Sequence, residues 1–506
     1  MDEKNCRWRL ATLLERAGVE PRRVRGSLAV DLGSIVDDSR RVQRGSCFVA
    51  ATGTARDGHD FVRSACESGA AALVVSRSDE DVPAHVTVVE VDDTRVVLAR
   101  LATAWHGLRG GDRPIRLVGV TGTNGKSTAA WLVRSIFRAA NRPCALFGTI
   151  EYDVISRCEK APLTTPGSLA LSEHLASAFD AGARHAVMEV SSHALDQRRC
   201  DGLAFGAAAF TNLTGDHLDY HHTMEAYFAA KRRLFDLLEP GGAAIVNVDD
   251  PWGMKLAASL SGRVIRFGLG AVDVDVRASI RSLSRSGCDV ELRGRTFAAR
   301  VNLPLIGRHN VMNALTAAAL AEAMGVPGEA IVAGLESTAN VPGRLQRVEP
   351  RDWPFSVIVD YAHTDAALDN VLAALRPITA GRLICVFGCG GNRDRTKRPR
   401  MAVAVERGAD IAVVTSDNPR GEEPGAIIDE ILTGFSATPQ CRVMVEADRA
   451  VAIEQAIAEA RSGDTVLIAG KGHEDYQIVG DRVHHFDDAE VAAACIKRAS
   501  ARGAAA

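Results

Sequence analysis

No stretch of this sequence stays apolar for the roughly 18 residues that a bilayer crossing needs. The polar opening MDEKNCRWRL also lacks the apolar segment of a secretory signal, so a cytoplasmic protein without membrane insertion is expected. Net charge is equally scarce. With 60 Lys+Arg against 63 Asp+Glu, nothing argues for a nucleic-acid or membrane surface, although phosphates can still bind locally. The eleven cysteines are scattered without the CxxC pairs of a zinc ribbon; the nearest approach is Cys385 with Cys389, inside an expected apolar strand. An odd count argues against a disulfide framework, and buried reduced thiols are expected. There is no internal repeat at roughly 20–50 residues, and only the tail SARGAAA has a disordered composition.

What the chain does have is alternation. Short apolar runs and amphipathic stretches follow one another, the pattern of parallel sheets with crossover helices, so the class is α/β. At 506 residues about three domains are expected. Gly and Pro near 107–114 suggest one linker, and NVPGRLQRVEP a second. These divide the chain into 1–112, 113–342 and 343–506. The first region carries the strand candidates AALVV (71–75) and VTVVEV (86–91). The second carries IRLVGV (115–120), HAVMEV (185–190), FTNL (210–213) and AAIVNV (243–248). Small antiparallel strands are expected between about 272 and 303, then a helix over 309–325. In the third, FSVIVDYAH, LICVFGCGG, IAVVTSDNPR and TVLIAGKGHED are each an apolar strand ending in a polar or Gly-rich loop. Four such ends suggest a ligand site beyond the carboxyl edge of a parallel sheet.

The strongest single motif is GVTGTNGKST, between an expected strand and the helix-like AAWLVRSIFRAA. A glycine-rich turn there lets backbone N–H groups approach phosphates, and the helix N-terminus adds partial positive charge. The strict G-x-x-x-x-G-K-[ST] pattern fails because Val120 holds its first glycine position, leaving G-x-x-G-K-S from Gly122 to Ser127. Lys126 would neutralise the β and γ phosphates and Ser127 would reach Mg²⁺. Glu189 closes a strand in MEVSSHALDQRR and His217 follows another in FTNLTGDHLDYH; oxygen donors and one imidazole suit Mg²⁺, while capped turns are the plainer reading. Lys231 lies among aromatics in YFAAKRRLF, which by itself reads as a snorkelling lysine. His309, Asn310 and Asn313 open a helix, as caps or as adenine contacts. Arg344 stands at the second boundary, where it could simply be solvated.

Together, TGTNGKST, TTPGS, MEVSSHAL, TNLTGDHLDYH, AKRRLF, GRHNVMNA, PGRLQRV, DYAHT, GCGGNRDRTKRP, DNPR and GKGHEDYQ resemble the Mur ligase family in its own order, from about residue 37 to 477. Members are ATP-dependent enzymes that add amino acids to the UDP-N-acetylmuramoyl peptide precursor of the bacterial cell wall. The resemblance implies three domains: one for the UDP end, one for ATP, and a Rossmann-like one for the amino acid. MEVSSHALDQRR and DNPRGEEP look most like the members that add diaminopimelate as the third residue; the lysine-adding ligase and a catalytically silent scaffold are the alternatives.

Carried over residue by residue, the resemblance gives ATP contacts at Gly122, Thr123, Asn124, Gly125, Lys126, Ser127, Thr128, Asn310, Arg344 and Asp360, with His363 in the DYAHT loop as a further catalytic candidate. Ser127, Glu189 and His217 match a Mg²⁺ site. Lys231 matches the lysine that family members carry as a CO₂-derived carbamate (N6-carboxylysine), which helps hold a second Mg²⁺. Ser39, Thr54, Ala55 and Arg56 would meet the UDP end, and Thr164, Thr165, Ser191, Gln197 and Arg199 the muramoyl-peptide portion. Arg393, Asp417, Asn418, Pro419, Arg420, Gly470 and Glu474 would take the amino acid. Only small-molecule partners are implied, with the chain acting as a monomer. Departures are Asp365 where proline is usual, Gly167 where an acid is common, and Ser127 for a threonine. Loop stiffness and minor contacts are affected there, not the reaction.

Overall fold

The structure, a computed structural model, describes residues 8–53, 56–77, 81–350 and 352–503. The chain forms two compact units: Met1–Arg277 with Arg293–Ala298 and Asn313–Gly334, and Ala278–Leu292 with Ala299–Met312 and Leu335–Ala506.

Two sheets make up most of the first unit, beside a short antiparallel pairing of Trp8–Arg9 with Asp31–Leu32. The smaller runs in the order Arg23–Arg25, Thr87–Glu90, Ala72–Val75, Ser46–Val49, Ser34–Val36, parallel except at the first pair. Its strands Ser46–Val49 and Ala72–Val75 are buried throughout, as parallel strands covered on both faces must be. In the larger sheet Arg116–Thr121 lies between His185–Glu189 and Phe205–Phe210. Cys144–Phe147 flanks it beyond the first, and Leu238–Asn247 and Arg263–Gly268 beyond the second, all parallel. Glu151–Asp153 and Cys158–Lys160 add an antiparallel edge. The helix Lys126–Ala139 buries Ala129, Leu132, Val133, Ile136 and Phe137 along one stripe, which seats it on this sheet. Strands Val276–Ser284, Gly287–Arg293 and Ala298–Leu303 occupy the segment where small strands were expected, and the helix spans Arg308–Ala323. FTNL is not a strand. Phe210 ends one, and Thr211 and Asn212 spend their polar groups on the neighbouring loop.

The second unit is a sheet of order Gln346–Arg347, Ser356–Asp360, Thr465–Ala469, Leu383–Phe387, Ile411–Val414, Arg442–Val445, antiparallel only at the first pair. All four polar-ended runs read from the sequence are parallel strands here, so their loops leave from one edge. Apolar clusters on its two faces are built around Leu372, Phe387, Met401 and Ile431, and around Val386, Val413, Ile453 and Ile468. The described cysteines are free, and Cys385 and Cys389 are buried.

Candidate active site

In the first unit the strand Arg116–Thr121 passes through Gly122–Gly125 directly into the helix Lys126–Ala139, whose first-turn N–H groups therefore emerge at the sheet's carboxyl edge. Gly125 adopts φ 86°, and an added Cβ would collide with Asn313 Oδ1, so only glycine fits. The adjacent strand end fixes the loop: Thr123 N–H donates to Asn212 O (2.9 Å), Asn124 N–H to Asn212 Oδ1 (2.9 Å) and the Thr211 hydroxyl to Asn124 O (2.7 Å).

Two lysine side chains converge on this loop. Lys126 Nζ donates to Gly122 O (3.0 Å) and Thr123 O (2.8 Å), and Lys231 Nζ donates to Gly122 O (2.8 Å). Lys231, on the helix Met224–Arg232, is 1% exposed and lies 4.5 Å from the centre of the Tyr227 ring. Burial, and then the charge of Lys126, hold its amine well below the ordinary lysine range. Burial likewise pushes the Tyr227 phenol up to about 12; its oxygen sits 3.2 Å from Thr123 Oγ1. His217 caps the short helix Leu218–His221, edge-on to His193 and Tyr227 and 3.5 Å from Asp216. Desolvation lowers its pKa; Asp216 opposes this, while Lys126 and Lys231 add to it.

Glu189, 1% exposed at the end of its strand, accepts from Ser127 Oγ (2.9 Å), Thr149 N–H (2.7 Å) and Thr149 Oγ1 (3.1 Å). Thr149 Oγ1 in turn lies 3.1 Å from Thr164 Oγ1. The hydroxyls of Ser127, Thr149 and Thr164 and the Glu189 carboxylate thus form one chain from the glycine loop to the threonine pair. Thr165 Oγ1 donates to Glu189 O (2.8 Å) and accepts from Ser191 N–H (3.0 Å), and Arg199 holds Thr165 O (2.9 Å) and Gln197 Oε1 (2.7 Å). Thr149 and Tyr227 were missed from the sequence, since neither stands in a polar motif.

A cavity of about 590 Å³ opens beside these residues, lined by Ser39, Arg56, Gln197 and Arg199 together with Asp37, Arg40 and Arg95. Ser39 and Arg56 of the expected UDP-end set thus share one cavity with Gln197 and Arg199 of the peptide-end set, while Thr164, Thr165 and Ser191 are not among its lining residues. Thr54 and Ala55 lie outside the described residues.

In the second unit, Asp360 is buried and accepts the N–H groups of Leu345 (2.8 Å) and Ala362 (2.9 Å); burial raises its pKa. Arg344 lies 4.9 Å from the Tyr361 ring centre, His363 Nδ1 is 2.8 Å from Tyr361 O, and Asn310 donates to Ile306 O (2.8 Å).

The turn Asp417–Arg420 faces Gly470–Glu474. Asn418, 2% exposed, donates to Glu474 Oε2 (2.9 Å), and its Oδ1 accepts from Lys471 Nζ (3.2 Å) and Ile478 N–H (3.0 Å). Its side chain thus orders the site. Lys471 is wholly buried, 3.5 Å from Asp417 Oδ1 and 4.0 Å from Glu474 Oε2. Asp417 Oδ1 is itself buried without a hydrogen-bond partner among the described residues. Burial, then Asp417, raise the Glu474 pKa. Arg420 adopts φ 53°, a left-handed conformation that costs a non-glycine residue about 1–3 kcal/mol. It is compensated by backbone pairing: Arg420 N–H donates to Ile478 O (2.9 Å) and Gly480 N–H to Arg420 O (2.7 Å), in the hairpin Tyr476–Val479/Arg482–His485. The guanidinium passes over Gly390 and donates to Gly391 O (3.0 Å). Pro419 is buried in the turn. Arg393 is exposed, its guanidinium 3.5 Å from Asn392 O and outside this cluster. Lys471 went unread in the sequence, because a lysine beside glycines reads as solvent-exposed.

Residues 34–106 match the family model "Mur ligase family, catalytic domain", 120–321 "Mur ligase middle domain" and 343–472 "Mur ligase, glutamate ligase domain". The chain is 44% identical to the UDP-N-acetylmuramoyl-L-alanyl-D-glutamate--2,6-diaminopimelate ligase of Geobacter metallireducens, over 96% of this chain and 98% of that protein. It is also 44% identical to the ligase of the same name from Gloeobacter violaceus, over 98% and 99%. A solved structure of a ligase of that name superposes with a TM-score of 0.71 at 31% identity, covering 96% of this chain and 99% of the other. With identity at this level along nearly its whole length, and each matched segment carrying its cluster, the chain belongs to the Mur ligase family.

Proposed function

We propose that this protein is the ATP-dependent ligase that joins meso-2,6-diaminopimelate to UDP-N-acetylmuramoyl-L-alanyl-D-glutamate, in the cytoplasm and as a monomer. Residues 1–112 and 113–342 bind the nucleotide precursor and ATP, and 343–506 bind the amino acid. The observation that carries this reading is the turn at Asp417–Arg420 facing the loop Gly470–Glu474: the Asp417 and Glu474 carboxylates and the Arg420 guanidinium beside the buried Lys471. meso-Diaminopimelate is lysine with one further carboxylate. Asp417 and Glu474 match its ammonium groups, and a planar guanidinium can take the added carboxylate bidentately.

A carboxylate does not condense with an amine in water. The terminal carboxylate of the acceptor first attacks the γ-phosphorus of ATP, giving an acyl phosphate and ADP. The amine then attacks the acyl carbon, and phosphate leaves through a tetrahedral intermediate. Bringing two anions together is the main electrostatic demand, and Lys126, at the mouth of the glycine loop, answers it. The cavity beside Arg199 and Gln197 accepts the nucleotide precursor, and the hydroxyl chain from Thr164 to Ser127 leads from its peptide end to the phosphates, fixing the attack geometry.

Ser127 Oγ and the Glu189 carboxylate are adjacent hard oxygen donors and fit Mg²⁺. Among the described residues no group of three or more His, Cys, Asp and Glu is arranged as a metal site, so phosphate oxygens and water would supply the remaining ligands. When bound, Mg²⁺ supplies Lewis-acid neutralisation of the phosphoryl oxygens. The Lys231 amine is no ligand as it stands. Its burial favours the neutral form that adds CO₂, and the resulting carbamate would present anionic oxygens beside Lys126.

Purified protein with ATP, Mg²⁺ and UDP-N-acetylmuramoyl-L-Ala-D-Glu should release phosphate rapidly with meso-diaminopimelate and far more slowly with L-lysine. Equal rates with both amino acids would sink the specificity; slow release with both would sink the ligase reading.

A further inference from the structure

Ser416 and Ala469 immediately precede the two loops of the proposed amino-acid site, and both turn their carbonyls to one guanidinium. Arg449 Nη1 donates to Ser416 O (3.2 Å) and Nη2 to Ala469 O (2.9 Å). Its Nε and Nη2 also close a bidentate pair on Asp488, at 2.7 Å each. Both side chains are fully buried. Arg449 opens the helix Arg449–Glu459, whose cap Asp448 accepts the N–H groups of Ala450 and Val451; Asp488 opens the helix Asp488–Gly503.

The Ser416 carbonyl follows the strand Ile411–Val414 and the Ala469 carbonyl ends the strand Thr465–Ala469, and Leu383–Phe387 separates these two strands. No ladder bond can therefore join them, and the guanidinium bridges the gap. Only a planar fork with several donors reaches both carbonyls and both carboxylate oxygens at once. The charge matters as well. An uncompensated cation here would draw Asp417 and Glu474 away from a substrate's ammonium groups; Asp488 neutralises it.

Resting on the reading of the amino-acid site given above, we propose that Arg449, held by Asp488, is a positioning residue for the amino-acid substrate. It sets the spacing between the Asp417–Arg420 turn and the Gly470–Glu474 loop, and hence between the two carboxylates and Arg420. It touches no substrate itself.

Arg449→Lys keeps the charge but not the fork. Steady-state phosphate release should show the KM for meso-diaminopimelate raised about tenfold, while the KM values for ATP and the UDP-dipeptide and the saturated kcat stay near those of the unaltered enzyme. Asp488→Asn, which leaves the cation uncompensated, should shift the same constant in the same direction by less. A folded Arg449→Lys enzyme with an unchanged KM for the amino acid, or with all three KM values raised alike, overturns the proposal. If the unaltered enzyme prefers lysine, the substrate reading fails, and the KM for lysine in Arg449→Lys decides the positioning role separately. Should neither variant fold, hydrogen exchange in the unaltered protein decides. Adding meso-diaminopimelate should slow exchange at 449–453 and 488–492 along with 417–420; protection of 417–420 alone overturns it.

Discussion

The glycine loop of the first unit and the Asp417–Arg420 turn of the second both begin where a parallel strand ends, but they are made of different materials. The loop is a backbone device. Its shape comes from Gly125 at φ 86° and from N–H groups tied to Asn212, and its two lysines donate to carbonyl oxygens. The turn is a side-chain device. Lys471 offsets the charges of Asp417 and Glu474, the Asn418 amide bridges Lys471 and Glu474, and the strained residue Arg420 is held by a hairpin. A site for phosphate, common to many enzymes, can be built from peptide groups. A site that must tell one amino acid from another needs charges of both signs at fixed separations.

Three substitutions probe that difference. Lys126→Ala should have the largest effect, because peptide groups cannot replace a charge that develops during transfer. kcat for phosphate release should fall by at least about 10²–10³-fold, with the KM for diaminopimelate little changed. Arg420→Ala should do the reverse. A lost charge-assisted pair at a partly buried site costs about 2–4 kcal/mol, or roughly 30- to 1,000-fold in the KM for diaminopimelate, with ATP binding intact. If nucleotide affinity collapsed instead, Arg420 would belong to the other site. The smallest effect concerns protonation. Burial and the neighbouring Asp417 raise the Glu474 pKa, and only its ionised form accepts an ammonium group. The KM for diaminopimelate should therefore fall as pH rises through that elevated range. Glu474→Gln should lose this dependence and, at neutral pH, show a KM about tenfold higher. A pH profile with the same shape in the variant would assign the titration elsewhere.

The same contrast explains what could be read from the sequence. GTNGKST announces its loop because glycine, lysine and serine stand together, and the strand and helix around it are long and periodic. The α/β class and the four polar-ended strands of the last region were legible for that reason. FTNL was read as a strand because Phe210 and Leu213 look apolar; only the fold reveals that Thr211 and Asn212 clamp a loop some 90 residues earlier. Thr149 joins Glu189 to Thr164 from a stretch with no polar signature. Lys471 and Arg449 are charged residues in the interior, against the usual expectation for their type, and Asn418 and Ala469, to which they donate, lie 53 and 20 positions away. Buried charge networks specify partners through space, and a linear pattern records only one end of each.

The left-handed Arg420 carries a lesson for anyone wishing to redirect such an enzyme to another amino acid. Its conformation is enforced by Ile478 and Gly480, about sixty residues downstream. Transplanting a foreign tetrapeptide at 417–420 would import new side chains onto a backbone still shaped for this one. On the proposed reading of this site the exchangeable module is the turn plus the hairpin Tyr476–His485, and libraries that vary the two together should yield altered selectivity where libraries of the turn alone yield inactive protein.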